Sequence, residues 1–278
     1  MTGQTAIDVA KHQGLVSLSG CPFEVHTSAS THDQARRLAD RCARAYSYLA
    51  DLLGFGPECA LLVLDRSDWS ERASNPLYGM PYYSAGNLFL PGEPSDLAAR
   101  LEEVASSAPP RAAEILRQVY GTGSDRLAPF ADMLVVHELG HAFHDGVPTL
   151  FPRSWLMEIF ANLSLYAFVV AEEPDRISLL ETLPQVSLDY GLLKPVARDL
   201  RYFEMFYPDI ETSTYVWYQF RFTMMAKDLV DTAGPSALRR FWEAFALSDQ
   251  QLADVLGRQV HPTAGQWLAS WSQVQAER

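Results

Sequence analysis

The first third of the chain mixes short apolar segments with one long amphipathic stretch. Residues 14–27 partly alternate between apolar and polar, which predicts a strand or hairpin. Residues 60–64 (ALLVL) form a continuous apolar run typical of a buried strand. From Thr31 to Leu53 the apolar positions follow helical spacing, and Gly54 marks the end of that predicted helix. Residues 77–91, rich in aromatics and interrupted by proline and glycine, predict a hairpin or edge strand.

The remainder of the chain shows helical periodicity almost throughout. The predicted helices cover residues 95–107, 128–145, 154–171, parts of 175–206, 213–232, 236–247 and two short segments near the end. Strands followed by helices are typical of an α+β fold. A composition change near residue 125 predicts one two-lobed domain over residues 1–278. Its mixed α/β lobe (1–125) holds the edge strand near 78–90, and its helical lobe (126–278) carries the metal ligands.

Composition and charge narrow the function classes. The chain has 278 residues and a net charge of −12, which argues against nucleic acid or an anionic membrane as a partner. Cys21, Cys42 and Cys59 have neither disulfide nor zinc-finger spacing, so we expect reduced thiols. The first residues lack a signal-peptide pattern, and the apolar runs are too short or interrupted to span a bilayer. We therefore expect a cytoplasmic protein.

The segment LAPFADMLVVHELGHAFHDG, residues 127–146, holds the main candidate chemistry. His137 and His141 are four residues apart, so a helix places both imidazoles on one face, where they can bind one ion. The surrounding residues are apolar almost all round, which predicts a buried helix. Glu138 follows the first histidine and can take a proton from a zinc-activated water. The pattern predicts a zinc-dependent hydrolase.

A second segment, FPRSWLMEIFANLSLYAF (151–168), supplies a candidate third ligand. Ser154 is the expected N-cap of its helix, and Glu158 follows one turn later among apolar residues. A buried carboxylate there is costly unless it binds a cation. Asn162, four residues further on the same face, is predicted to accept a hydrogen bond from a ligand histidine and to fix its tautomer.

HELGH followed by WLMEIFAN resembles the gluzincin metallopeptidases of the thermolysin and aminopeptidase-N type, and is most similar to compact bacterial peptidase-MA-like proteins. The resemblance implies a zincin-like catalytic domain and one Zn²⁺ per chain. It also implies Glu138 as general base, Glu158 as third ligand, and a peptide or protein substrate. Two departures stand out: the spacing from His141 to Glu158 is shorter than in the best-known members, and Asn162 stands where thermolysin has an aspartate.

The same resemblance extends to an oxyanion-stabilising tyrosine and a substrate-binding strand. Residues 212–241 are similar to the tyrosine-bearing helix, which implies Tyr218 as the oxyanion donor, with Tyr215 as its rival. The edge strand corresponds to residues 78–90, where a peptide substrate would pair with the segment Tyr82, Tyr83, Ser84, Ala85 and Gly86. That strand lacks the glutamate with which aminopeptidases of this type hold the substrate amine, which argues against an aminopeptidase.

The other histidines and two other functions complete the set of hypotheses. His144 lies three residues after His141 and could face the site, although the metzincin pattern is absent. The histidines without ligand spacing, predicted to lie at the surface, are His12, His26, His32 and His261. The alternatives to a peptidase are a zinc protein with another hydrolytic or a structural role, and a catalytically silent peptidase-like binding protein.

Overall fold

The computed structural model describes residues 6–146, 151–245 and 252–276. It is an α+β fold, as predicted, with a five-stranded sheet in the N-terminal part followed by helices. The strands are β1 (Val16–Leu18), β2 (Glu24–Thr27), β3 (Ala60–Leu64), β4 (Tyr82–Ser84) and β5 (Asn87–Pro91). The α-helices within these ranges are α1 (His32–Leu53), α2 (Arg66–Arg72), α3 (Asp96–Ser106), α4 (Pro110–Tyr120), α5 (Ala128–Ala131), α6 (Leu134–Asp145), α7 (Ser154–Glu172), α8 (Ile177–Asp189), α9 (Leu200–Phe206), α10 (Thr212–Ala233), α11 (Ala237–Phe245), α12 (Leu252–Val255), α13 (Pro262–Gly265) and α14 (Trp267–Ala276).

The sheet has the order β1-β2-β3-β5-β4. Strands β2, β3 and β5 run parallel, while β1 and β4 pair antiparallel with their neighbours at the two edges. All five residues of β3 are buried, which explains why the central strand is a continuous apolar run. The predicted hairpin near 14–27, the buried strand at 60–64 and the edge strand near 82 are confirmed.

The turn between β4 and β5 corrects part of the predicted edge strand. Ala85 has a φ of 45° and Gly86 a φ of 75°, so both lie in the left-handed region that two-residue hairpin turns require. A Cβ on Gly86 would lie 2.8 Å from the Cα of Ile7, so glycine is also needed for space. Ala85 and Gly86 therefore belong to the turn, and only Tyr82–Ser84 form the edge strand.

The structure divides into two compact units whose boundary differs from the predicted one near residue 125. The first unit contains the described residues up to 106 together with 120–146, and the second contains 107–119 together with those from 151 onward. Helix α6 belongs to the first unit because it packs against α1, β4 and β5. The HELGH helix is thus part of the sheet-containing unit, rather than of the helical lobe to which the sequence analysis assigned it.

The second unit is built around α7, which packs against α8, α9, α10 and α11. By length and composition alone, α7 is apolar enough to cross a membrane, contrary to the prediction that the apolar runs are too short. Its apolar window is 78% buried within the protein, which fits a core helix. Ser154 is not the N-cap: it is the first helical residue, and its N–H donates to Oε2 of Glu204 at 2.9 Å. A carboxylate at this position stabilises the positive end of the helix dipole.

Candidate metal centre

The HELGH residues lie on α6, in the first unit. The single helix predicted over 128–145 is interrupted at Asp132 and Met133, so that α5 and α6 are separate. The ring of Phe143 packs 5.6 Å from that of Tyr46 and 5.4 Å from that of Phe55, measured between centroids. The buried apolar face predicted for this helix is confirmed, and it fixes the rotation of α6 about its axis.

The two HELGH histidines point their Nε2 atoms at each other. His137 is 6% exposed and His141 is 8% exposed, and their Nε2 atoms are 3.2 Å apart. Two imidazoles on one tetrahedral zinc ion, with Zn–N bonds of about 2.05 Å, have nitrogens about 3.3 Å apart. The pair therefore has the spacing of two ligands of a single zinc ion. The distance also suits a hydrogen bond between neutral rings, in which one Nε2–H donates to the other nitrogen.

His144 contacts the opposite side of the His141 ring. Its Nε2 lies 2.9 Å from Nδ1 of His141. When His141 donates its Nδ1–H across this contact, its Nε2 carries the lone pair and faces His137. Outer partners of this kind commonly orient metal-binding histidines. The geometry gives His144 the role of positioning His141, whereas the sequence analysis considered it only as a ligand.

Glu138 and Glu158 are both buried acidic residues, one in each unit. Glu138 is 6% exposed on α6, directly after His137. Glu158 is fully buried on α7. Nε2 of Gln219 donates to Oε2 of Glu158 at 2.7 Å, so the orientation of this carboxylate is set by α10. Gln219 had no predicted role, and its position next to Tyr218 was the available signal in the sequence.

Asn162 extends this hydrogen-bond chain. Its Nδ2 donates to Oε1 of Gln219 at 2.8 Å and to the backbone oxygen of Glu158 at 2.9 Å. Its Oδ1 accepts from the hydroxyl of Thr223 at 2.8 Å. Each amide is thereby fixed in orientation, because its oxygen accepts and its nitrogen donates. Asn162 supports Gln219 within the second unit, and a hydrogen bond from it to a ligand histidine stays a prediction.

The hydroxyl of Tyr218 is hydrogen-bonded within the second unit. Its side chain is fully buried, and its hydroxyl donates to the backbone oxygen of Asp199 at 2.7 Å. Its ring stacks on Trp271 with centroids 5.9 Å apart. A phenol has one proton to donate, and here that proton is used within the protein core. Helix α10 turns Tyr218 into the aromatic core, and its oxyanion role stays a prediction. The rival, Tyr215, is partly buried and stays a prediction.

The tyrosines of β4 hold the edge strand in place. The hydroxyl of Tyr83 donates to Oδ2 of Asp145 at 2.8 Å, which joins β4 to the last residue of α6. Burial, followed by this hydrogen bond, raises the pKa of Tyr83 well above its usual value. Tyr82 stacks on Phe89 with centroids 4.5 Å apart, while Ser84 is exposed. Both tyrosine side chains therefore have structural contacts within the first unit.

No protein-family model matches the chain, and no curated protein matches it. The resemblance to gluzincins consequently depends on the HELGH and WLMEIFAN segments.

Proposed function

We propose that this chain is a zinc-dependent peptidase of the gluzincin type, with zinc held by His137, His141 and Glu158. The observation that carries the proposal is the 3.2 Å distance between the two buried Nε2 atoms on one helix. Glu158 is the third ligand that the WLMEIFAN segment predicts, and its side chain is fully buried on α7. Two histidines and one glutamate form the ligand set of catalytic zinc in peptidases of this kind.

Several residues have defined tasks in the proposed reaction. Bound zinc would polarise the scissile carbonyl and lower the pKa of a water molecule. Glu138 takes a proton from the attacking water and later delivers it to the leaving amine. His144 holds His141 in the tautomer whose Nε2 is a ligand, and Gln219 holds the carboxylate of Glu158. The general-base role of Glu138 explains why a carboxylate follows the first histidine.

We propose that the substrate is an extended peptide that pairs with the edge strand β4. The missing glutamate in residues 78–90 argues against recognition of a free amino terminus. The net charge of −12 argues against nucleic acid or an anionic membrane as a partner. Cys21, Cys42 and Cys59 are all free, which supports a cytoplasmic location.

The decisive experiment compares Glu138→Gln with the parent protein. The variant should bind zinc as the parent does and lose about 100-fold or more in peptide hydrolysis, because only the proton acceptor is removed. Digestion of a peptide library, measured by mass spectrometry, reports the activity, and metal analysis reports the zinc. Glu103→Gln, an exposed glutamate of α3, is the matched control and should be fully active. A parent protein without zinc, or a variant that cleaves as well as the parent, would contradict the proposal.

A catalytically silent zinc protein is the second candidate, and the contacts of Tyr218 favour it. Its hydroxyl is already bound to Asp199, so the tyrosine implied by the resemblance is not available to an oxyanion. This candidate predicts that zinc binds and raises the melting temperature, while no peptide in the library is cleaved.

A further inference from the structure

A second group of histidines lies in the first unit, and it corrects a prediction. His12 and His26 were expected at the surface, yet their side chains are only 9% and 13% exposed. Their rings stack with centroids 4.1 Å apart. His12 ends a short 3₁₀ helix, Val9–His12, and His26 lies on β2 together with Glu24. Spacing along the chain could not predict this group, because its members come together only through the fold.

The donor atoms of these three residues converge. Oε2 of Glu24 lies 3.0 Å from Nε2 of His26 and 3.5 Å from Nδ1 of His12. One donor atom from each residue lies within 4.8 Å of the others, which is close enough to share one metal ion. Two imidazoles and a carboxylate suit zinc and related divalent transition metals.

The tautomer of His12 follows from its contact with Asn87. The Asn87 side chain is fully buried, and its Nδ2 donates to the backbone oxygens of Ala85 at 3.0 Å and Asp8 at 3.3 Å. Its Oδ1 therefore faces Nε2 of His12, at 2.7 Å. Because an amide oxygen only accepts, Nε2 of His12 carries the proton, and in the neutral ring Nδ1 presents its lone pair to Glu24.

His26 has a matching outer contact. Its Nδ1 lies 3.2 Å from Oγ of Ser17, so the hydroxyl can accept from Nδ1–H while Nε2 faces Glu24. In this arrangement both rings direct a ligand nitrogen at the carboxylate, and both are oriented on the opposite side by a polar partner. That is the outer-contact pattern of metal-binding histidines.

The contact between His12 and Glu24 favours a cation in this tautomer. A lone pair on Nδ1 of His12 that faces the carboxylate oxygen of Glu24 at 3.5 Å is repulsive. One divalent ion shared by the three donors would remove that repulsion.

We propose that His12, Glu24 and His26 form a binding site for a divalent transition-metal ion such as Zn²⁺, in addition to the HELGH centre. The side chain of Glu24 is 57% exposed, so a water molecule can reach the site as a further ligand. The ion would tie the N-terminal 3₁₀ helix to the sheet. This inference does not depend on the proposed function.

Zinc binding after removal of the HELGH ligands tests the site directly. The double variant His137→Gln/His141→Gln is stripped with a chelator and titrated with ZnCl₂, and bound zinc is measured by equilibrium dialysis. We expect about one zinc ion per chain. Adding Glu24→Gln should weaken that binding at least about 10-fold. His32→Gln is the matched control, because His32 is exposed and should not affect zinc binding.

A second arm keeps the HELGH motif intact and avoids changes in the core. In the parent protein, Glu24→Gln should remove one zinc equivalent, while Glu138→Gln should remove none. Ser17→Ala should weaken zinc binding at this site about 10-fold or more by releasing the His26 ring. Ser19→Ala, an exposed serine two residues further on, should not change it. Both measurements use zinc content and not catalysis.

The outcomes separate this inference from the proposed function. Zinc bound by the His137→Gln/His141→Gln variant and weakened by Glu24→Gln supports the second site, whether or not the chain hydrolyses peptides. Zinc binding that is unaffected by Glu24→Gln and Ser17→Ala would overturn it. Absence of zinc from a folded His137→Gln/His141→Gln variant would also overturn it.

Discussion

Replacing Gln219 by leucine should destabilise the second unit by removing the hydrogen bond to the buried carboxylate of Glu158. Nε2 of Gln219 is 2.7 Å from Oε2 of Glu158, and Glu158 is fully buried. A hydrogen bond to a charged group contributes about 1.5–3 kcal/mol. The side chain of Gln219 is itself partly exposed, and leucine recovers some apolar contact, so both effects reduce the loss. We expect the free energy of unfolding to fall by about 2 kcal/mol.

Gln185→Leu is a matched control. Nε2 of Gln185 also donates to a carboxylate oxygen, that of Asp189, at 2.8 Å, but the glutamine is exposed on α8. An exposed pair four residues apart on a helix contributes about 0.2–0.5 kcal/mol. Urea denaturation in the presence of a chelator, followed by circular dichroism, measures both variants without a contribution from bound metal.

Equal destabilisation of the two variants, or a Gln219→Leu protein as stable as the parent, would refute this reasoning. Such a result would mean that the hydrogen bond to Glu158 contributes no more than an exposed one. A separate measurement addresses the metal: if Glu158 is a zinc ligand, Gln219→Leu should lower zinc affinity about 10- to 100-fold, while Gln185→Leu should not.

Two further predictions concern a buried thiol and the buried tyrosine. Burial raises the pKa of Cys59 from 9.0 to about 12, so its contribution to stability is present below pH 9.0 and is lost as the pH rises toward 12. Between about pH 8 and pH 10, urea denaturation should show the parent losing about 1.4 kcal/mol more than Cys59→Ala; equal losses would contradict the assigned shift. Tyr218→Phe should lower the free energy of unfolding by about 1 kcal/mol without changing kcat/KM for a cleaved peptide, and a large loss of kcat/KM at unchanged stability would instead support an oxyanion role.

Local periodicity was sufficient to predict most of the elements. Short-range patterns predicted strand β3 and helix α1. A continuous apolar run indicates a strand buried on both faces, and apolar residues three or four positions apart indicate a helix buried on one face. The spacing of His137 and His141 likewise determines their common face, because one helix carries both. These predictions could be made because they depend only on residues that are close together in the sequence.

Contacts between distant segments could not be predicted in the same way. The direction of the Tyr218 side chain depends on how α10 is rotated against its neighbours. That rotation is set by contacts with distant residues such as Asp199 and Trp271. His12 acquires its orientation from Asn87, which is 75 positions away in the sequence. His144 is different: it lies three residues from His141 on the same helix, so its contact with that ring was within reach of the sequence pattern.

The hydrogen bond between Tyr83 and Asp145 has a consequence for how a peptide would be cut. It fixes the edge strand β4 to the end of the helix that carries His137 and His141, so strand and helix move together. A peptide paired with β4 advances about 3.4 Å per residue, and its side chains return to the same faces only after two residues, or about 7 Å. In the proposed peptidase, the fixed strand would therefore place one peptide bond of the paired substrate beside the HELGH helix, at a set number of residues from the point where pairing begins.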